Sequence, residues 1–174
     1  MKIYLMKKLL LFFCACSFIA MSCGQNEKAK EYYLHGCEKA VADDARGAIA
    51  DFDQAIALNP QYALAYCARG MAKVVLEDYL GVTADCNKAI ELDPKISNAY
   101  LGRGSAKAIQ DDYRGALVDF EKAVDLDPKN AKAYRARGLT RIQLGDKNSG
   151  CLDLSKAGEL GDEKSYKFIK MFCQ

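Results

Sequence analysis

Apolar residues recur at helical spacing through most of the chain. The pattern has the spacing i, i+4, i+7 and i+8, which places its members on one face of an α-helix. It occurs at Ala116, Phe120, Ala123 and Val124, and earlier in the chain at Ala48, Phe52, Ala55 and Ile56. The spacing therefore predicts an all-α protein whose helices each bury one face.

The helical pattern has a period of 34 residues, marked by Pro60, Pro94, Pro128 and then Asp162. A second set of residue types recurs before each proline: tyrosine, arginine, glycine and a basic residue, at Tyr66, Arg69, Gly70 and Lys73, at Tyr100, Arg103, Gly104 and Lys107, and at Tyr134, Arg137, Gly138 and Arg141. Proline lacks an N–H and pushes the preceding residue out of the helical region. Each unit is therefore predicted to be two antiparallel helices, roughly residues 29–43 and 46–58 in the first unit.

The recurring glycine indicates where the two helices of a unit meet. Glycine inside a helix costs about 1 kcal/mol relative to alanine, so its return at positions 36, 70, 104 and 138 requires a packing reason. We expect close approach of the second helix, through small residues such as Ala48 and Ala55.

The repeat length, the aromatic, glycine, alanine and proline positions, and the Gly-Asp and Asp-Tyr turns together resemble the tetratricopeptide repeat. The resemblance implies a right-handed α-solenoid of antiparallel helical hairpins, closed by a C-terminal capping helix. Its repeats would occupy residues 29–62, 63–96 and 97–130, with a degenerate fourth at 131–162 and the capping helix at 163–174.

The N-terminal segment has the pattern of a secretory signal. Lys7 and Lys8 precede an uncharged run of about 13 residues, whereas a helix that spans a bilayer needs about 20. The run ends in Ala20-Met21-Ser22-Cys23, which resembles the lipobox of bacterial lipoproteins. Simple cleavable secretion is the alternative.

The lipobox resemblance implies a signal peptide at residues 1–22 and a lipid anchor on Cys23, followed by a short tether at residues 23–28. Acyl chains on the cysteine would attach the protein to a membrane. We therefore expect an exported, lipid-anchored protein of the bacterial cell envelope, at the outer membrane.

Charge and residue types argue against several functions. Removal of the signal leaves 22 basic against 23 acidic residues, too little positive charge for nucleic-acid binding. His35 is the only histidine, no phosphate loop follows a predicted strand, and no CxxC pair lies in the repeats. We expect no enzyme activity, cofactor, metal or small-molecule substrate.

A basic residue and an aspartate recur 16 positions apart in every unit, which puts them on the facing helices of one hairpin. The pairs are His35 with Asp51, Arg69 with Asp85, Arg103 with Asp119, and Arg137 with Asp153. They predict an internal ladder of ion pairs. A charged binding track is the alternative.

Six of the eight cysteines follow residue 22, and an exported protein meets oxidising conditions. Cys151 and Cys173 would lie on the last hairpin and its cap, where a disulfide would hold the C-terminus. A bridge between Cys37 and Cys67 is a second possibility, and Cys86 is predicted to be a buried thiol.

In the tetratricopeptide family, the first helices of successive units line a groove that takes a protein segment. Carried over to this chain, the groove positions are Tyr33, Leu34, Cys37, Leu64, Cys67, Met71, Asn98, Leu101, Ser105, Lys132, Arg135 and Leu139. The set lacks the lysines and asparagines that grip a C-terminal carboxylate in chaperone-binding members. We expect a non-catalytic scaffold that binds a peptide or protein partner; the alternative is a structural or stress-related envelope lipoprotein without a fixed partner.

Overall fold

The computed structural model describes residues 24–173 of the chain, and Cys23 with the predicted signal lies outside them. The described residues form helices and connecting turns, with no strand among them. They divide into two compact units between Tyr62 and Ala63. The predicted all-α fold is confirmed.

The first unit contains one helical hairpin. Helix α1 is described over residues 24–41 and is followed by α2, Ala45–Leu58. Residues 24–28, expected to be a tether, are helical. The carboxylate of Asp44 accepts a hydrogen bond from the backbone N–H of Gly47 and so caps the start of α2.

The second unit contains three hairpins and a final helix. The helices are α3, Ala63–Val75; α4, Tyr79–Leu92; α5, Ser97–Ile109; α6, Tyr113–Leu126; α7, Ala131–Gln143; α8, Lys147–Glu159; and α9, Glu163–Phe172. Each helix packs on the next along the chain, and α5 also contacts both α3 and α7. The first helices of the three hairpins therefore lie side by side.

The same local chemistry starts and ends the helices of successive hairpins. Asp78, Asp112 and Asp146 each accept a hydrogen bond from the backbone N–H three residues on, which caps the second helix. Helix α6 ends at Leu126, just before Asp127-Pro128. The fourth hairpin lacks this proline; there the chain turns at Gly161, whose φ of 91° favours glycine.

In the first and third hairpins the recurring glycine lies against an aromatic ring of the second helix. A Cβ on Gly104 would lie 2.7 Å from the ring of Phe120, and Phe120 is only 2% exposed. In the first unit Gly36 meets Phe52 in the same way, at 2.7 Å. At these two positions the glycine makes room for an aromatic ring.

In the fourth hairpin, a Cβ on Gly138 would lie 2.8 Å from the backbone oxygen of Gly150, a small residue at the position that Ala48 holds in the first unit. Ala48 and Ala55 are buried as well.

Candidate functional site: an apolar cavity beside α9

The predicted basic and aspartate residues are in contact in all four hairpins. Asp119 accepts hydrogen bonds from Nε and Nη2 of Arg103, at 3.0 and 2.6 Å. Lys107 Nζ lies 2.8 Å from the same carboxylate. The hydrogen bonds to Asp119 are the main reason that the pKa of Arg103 lies above its ordinary value.

The second cation at each aspartate was missed in the sequence analysis. It stands one helical turn after the first, at Lys39, Lys73, Lys107 and Arg141. The signal was the return of a basic residue at this position in each repeat. Arg69, Arg103 and Arg137 also lie over the rings of Tyr66, Tyr100 and Tyr134, with centroid distances of 5.4, 5.5 and 5.2 Å.

These charged groups stabilise the hairpins and are poorly placed to bind a partner. Asp119 is 2% exposed, and its two oxygens already have Arg103 and Lys107 as partners. The guanidinium of Arg103 also donates to Asn87 of α4, at 2.8 Å, which links neighbouring hairpins. The alternative of a charged binding track is not supported, because the carboxylates lie between the helices.

The second unit has an open cavity of about 380 Å³ near the C-terminal ends of α5, α7 and α9. We call it the apolar cavity; it is lined by Ser105, Ala108, Ile109, Tyr113, Phe120, Ala136, Leu139, Thr140, Ile142, Gln143, Phe168 and Phe172. No charged side chain is among these described residues. The site therefore offers mainly carbon surface.

The hydroxyl groups of the cavity have partners within the protein. Ser105 donates to the carbonyl of Leu101 at 2.8 Å, and Thr140 donates to the carbonyl of Ala136 at 2.9 Å. The phenol of Tyr113 donates to the carboxylate of Asp111 at 2.8 Å. An uncharged apolar group can therefore enter without leaving these hydroxyls unpaired.

Some of the predicted groove residues of the second unit are accessible to a partner, and others are buried between helices. Ser105 and Leu139 line the apolar cavity, and Leu64 and Met71 are exposed on α3. Two assignments are corrected: Cys67 and Leu101 are 5% and 6% exposed and belong to hydrophobic clusters between helices. Their side chains are covered by neighbouring helices, so a partner cannot reach them.

The polar groove positions lie near the starts of the helices. The amide of Asn130 donates to the side-chain oxygen of Asn98 at 3.3 Å, and Lys132 is in the first turn of α7. Arg135 forms an ion pair with Asp162. Arg135 therefore holds the start of α9, in addition to any contact that it makes with a partner.

The first unit holds the remaining predicted groove residues. The ring of Tyr33 packs against Phe52 and Tyr62, with centroid distances of 5.9 and 5.1 Å. Leu34 is exposed and Cys37 is half-buried. Of these three side chains, that of Leu34 is the most exposed.

Phe168 and Phe172 were assigned to a capping helix but not to a binding surface. Their rings are stacked with centroids 6.5 Å apart, and both line the apolar cavity. The sequence contains a signal: Phe172 stands 34 residues after Gly138, where each earlier repeat has glycine. The bulky ring at this position departs from the glycine of the earlier repeats.

Cys151 and Cys173 form a disulfide between the start of α8 and the end of α9, with Cα atoms 5.7 Å apart. Cys37, Cys67 and Cys86 are free thiols, so the alternative bridge from Cys37 to Cys67 is absent. Burial raises the pKa of both Cys67 and Cys86 to about 12.

Two further features bear on function. No group of three or more potential metal ligands is present among the residues that the structure describes. In the same part of the chain, every helix is too short or too polar to cross a membrane.

A family model described as TPR repeat matches residues 104–145. The Arabidopsis OM64 TPR domain is 30% identical, with a TM-score of 0.66, and the match covers 68% of this chain and 98% of that domain. The first TPR of Spaghetti (RPAP3), bound to an HSP90 peptide, is 22% identical with a TM-score of 0.65, and the match covers 69% of this chain and 95% of that domain. MamA is 20% identical with a TM-score of 0.66, and the match covers 79% of this chain and 81% of the MamA chain. No curated protein matches significantly.

The chain belongs to the tetratricopeptide-repeat family. Domains of this family are typically protein–protein interaction modules with a non-catalytic helical scaffold.

Proposed function

We propose that the protein is a scaffold that binds a protein or peptide segment by placing an apolar side chain of the partner in the apolar cavity. The observation that carries the proposal is the cavity itself: about 380 Å³, open, and lined by Ile109, Leu139 and two phenylalanine rings. Each Å² of apolar surface that leaves water contributes about 25 cal/mol. Several apolar side chains of one segment would add to this contribution.

The apolar surface extends along α3. Met71 stands 34 residues before Ser105, and Val75 stands 34 residues before Ile109, both of which line the cavity. The repeat register therefore puts Met71 and Val75 on the corresponding face of α3, and both are exposed. Such a surface suits the apolar face of an amphipathic helix or an extended apolar segment.

The chemistry of the partner differs from that of an acidic C-terminal peptide. The RPAP3 domain was solved with the HSP90 peptide SRMEEVD. In this chain the cavity has no charged lining residue among those described, and Arg135 is already paired with Asp162. We therefore propose that apolar side chains, and not a terminal carboxylate, supply the affinity.

Site-specific photocrosslinking in intact cells tests the proposal. A photoreactive amino acid at Ile109, in the wall of the cavity, is expected to give a discrete adduct with one partner. Introducing Leu139→Asp into the same protein should abolish that adduct, because a carboxylate in an apolar cavity loses its hydration. The readout is the adduct band and its identification by mass spectrometry.

The matched control carries the photoreactive group at Val118, an exposed residue of α6 that does not line the cavity. The same adduct at Val118, or an adduct at Ile109 that survives Leu139→Asp, would move the binding site elsewhere. No adduct at any position would favour a structural envelope lipoprotein without a fixed partner.

We also propose that the mature protein is attached to the bacterial envelope through lipid on Cys23. The support is the basic and apolar N-terminal pattern followed by Ala20-Met21-Ser22-Cys23. Metabolic labelling with a fatty acid should mark the wild type, and Cys23→Ser should lose both the label and sedimentation with the outer membrane. Cys14→Ser, within the predicted signal, is the control. A labelled Cys23→Ser protein would contradict the anchor.

A further inference from the structure

Helix α9 has little buried surface of its own. It is ten residues long, and isolated helices shorter than about 12–15 residues are marginal in water. Ser165 is its buried residue, whereas Tyr166 and Met171 are exposed. Helix α9 packs on α8, where the ring of Tyr166 lies close to Gly158, and the contacts at its two ends add to this packing.

The start of α9 is held by polar contacts. Asp162 accepts a hydrogen bond from the hydroxyl of Ser165 at 2.5 Å and forms the ion pair with Arg135 of α7. Burial raises the pKa of Asp162, but these bonds from Ser165 and Arg135 outweigh it and leave the pKa below its ordinary value. This end is anchored without any covalent bond.

The end of α9 is held by the disulfide. Cys173 directly follows Phe172 and is bonded to Cys151 of α8. Phe172 and Phe168 form the α9 wall of the apolar cavity. The covalent bond therefore fixes the half of the helix that carries this wall.

We propose that the disulfide between Cys151 and Cys173 is a redox-operated latch, and that its reduction releases the C-terminal half of α9 and removes the phenylalanine wall of the apolar cavity. Both cysteines are partly exposed, as attack by an external thiol requires. Release of α9 is independent of the proposed function; only the consequence for a bound partner rests on it.

The reaction needs a dithiol reductant, supplied by a thiol–disulfide oxidoreductase or a small-molecule dithiol. One thiolate of the reductant attacks a sulfur of the bond, forms a mixed disulfide and displaces the other cysteine as a thiolate. The second thiol of the reductant then resolves the mixed disulfide. Two electrons and two protons pass to Cys151 and Cys173, and the dithiol becomes a disulfide.

The free cysteines in the core of the second unit do not compete in this exchange. Cys67 and Cys86 are buried. Burial raises the pKa of each to about 12, so the nucleophilic thiolate is scarce at neutral pH. The bond can therefore open and close without being reshuffled to either of them.

Hydrogen exchange on the purified protein, with and without dithiothreitol, tests the latch. Reduction should lower the protection of the amides at the end of α9 by up to about 300-fold, the loop-closure effect of a bond spanning 22 residues. The amides of α3 to α7 should keep their protection. The double variant Cys151→Ser with Cys173→Ser should match the reduced protein, and dithiothreitol should have no further effect on it.

Unchanged α9 protection after reduction would overturn the latch, and so would loss of protection throughout the second unit, which would make the bond a support of the whole fold.

The crosslink from Ile109 separates the latch from the proposed binding of a partner in the apolar cavity. An adduct in the oxidised protein that disappears on reduction supports the coupling, and an equal adduct in both states refutes it. Local release of α9 without an adduct in either state would refute the proposed cavity binding and leave the latch standing.

Discussion

Asp119→Ala is expected to lower the free energy of unfolding of the second unit by about 3–5 kcal/mol, the usual cost of removing one side of a buried ion pair. Asp119 is 2% exposed and neutralises two cations, Arg103 and Lys107. Without the carboxylate, both cations remain close together and partly buried. Their repulsion adds to the loss of the hydrogen bonds.

Chemical denaturation followed by circular dichroism measures the effect. Asp125→Ala is the control, because Asp125 is an exposed aspartate of the same helix; we expect a change of less than about 0.5 kcal/mol. A similar small loss for Asp119→Ala would show that the cations find water or another partner at little cost.

Phe120→Ala is expected to destabilise the second unit by about 3–5 kcal/mol, as is typical when a buried phenylalanine is truncated. The ring fills the space left by Gly104 and lies in a cluster with Tyr100, Ala116 and Ala133. Helices on both sides of the ring are fixed by their hairpins, so the vacated space cannot close fully. Thermal and chemical unfolding report the loss.

Val118→Ala is the control, since Val118 lies on the same helix and is 65% exposed.

A second comparison tests the contact between Gly104 and the ring of Phe120. Gly104→Ala should destabilise by about 1–3 kcal/mol more than Gly70→Ala. A Cβ at position 104 would lie 2.7 Å from the Phe120 ring, whereas at position 70 the nearest neighbour, Asp85 Cβ, is 3.3 Å away and needs only a small shift; the gain in helix propensity is the same at both positions. Equal effects at the two glycines would contradict this account of the packing.

Local chemistry explains why the helical pattern could be predicted from the sequence. The spacing of Ala116, Phe120 and Val124 reflects one face of a single helix, and the Asp-Pro pairs stop helices through backbone geometry alone. Partners 16 residues apart, such as Arg103 and Asp119, could be paired because the hairpin repeats. By contrast, residues 24–28, expected to belong to a short tether, are helical, and they contain no proline that would prevent it.

The sequence by itself determined the helices, their pairing into hairpins, the predicted ion-pair partners and the tetratricopeptide pattern, because each depends on neighbours within one repeat. Tertiary structure decided which groove residues are accessible. It buried Cys67 and Leu101 between helices, paired Arg135 with Asp162 and brought Phe168 and Phe172 to the cavity. The burial of Cys67 and Leu101 depends on how neighbouring hairpins pack on one another. The other two outcomes depend on how α9 meets the preceding helices, where the end of the array lacks the regular repeat from which a sequence argument could predict the contact.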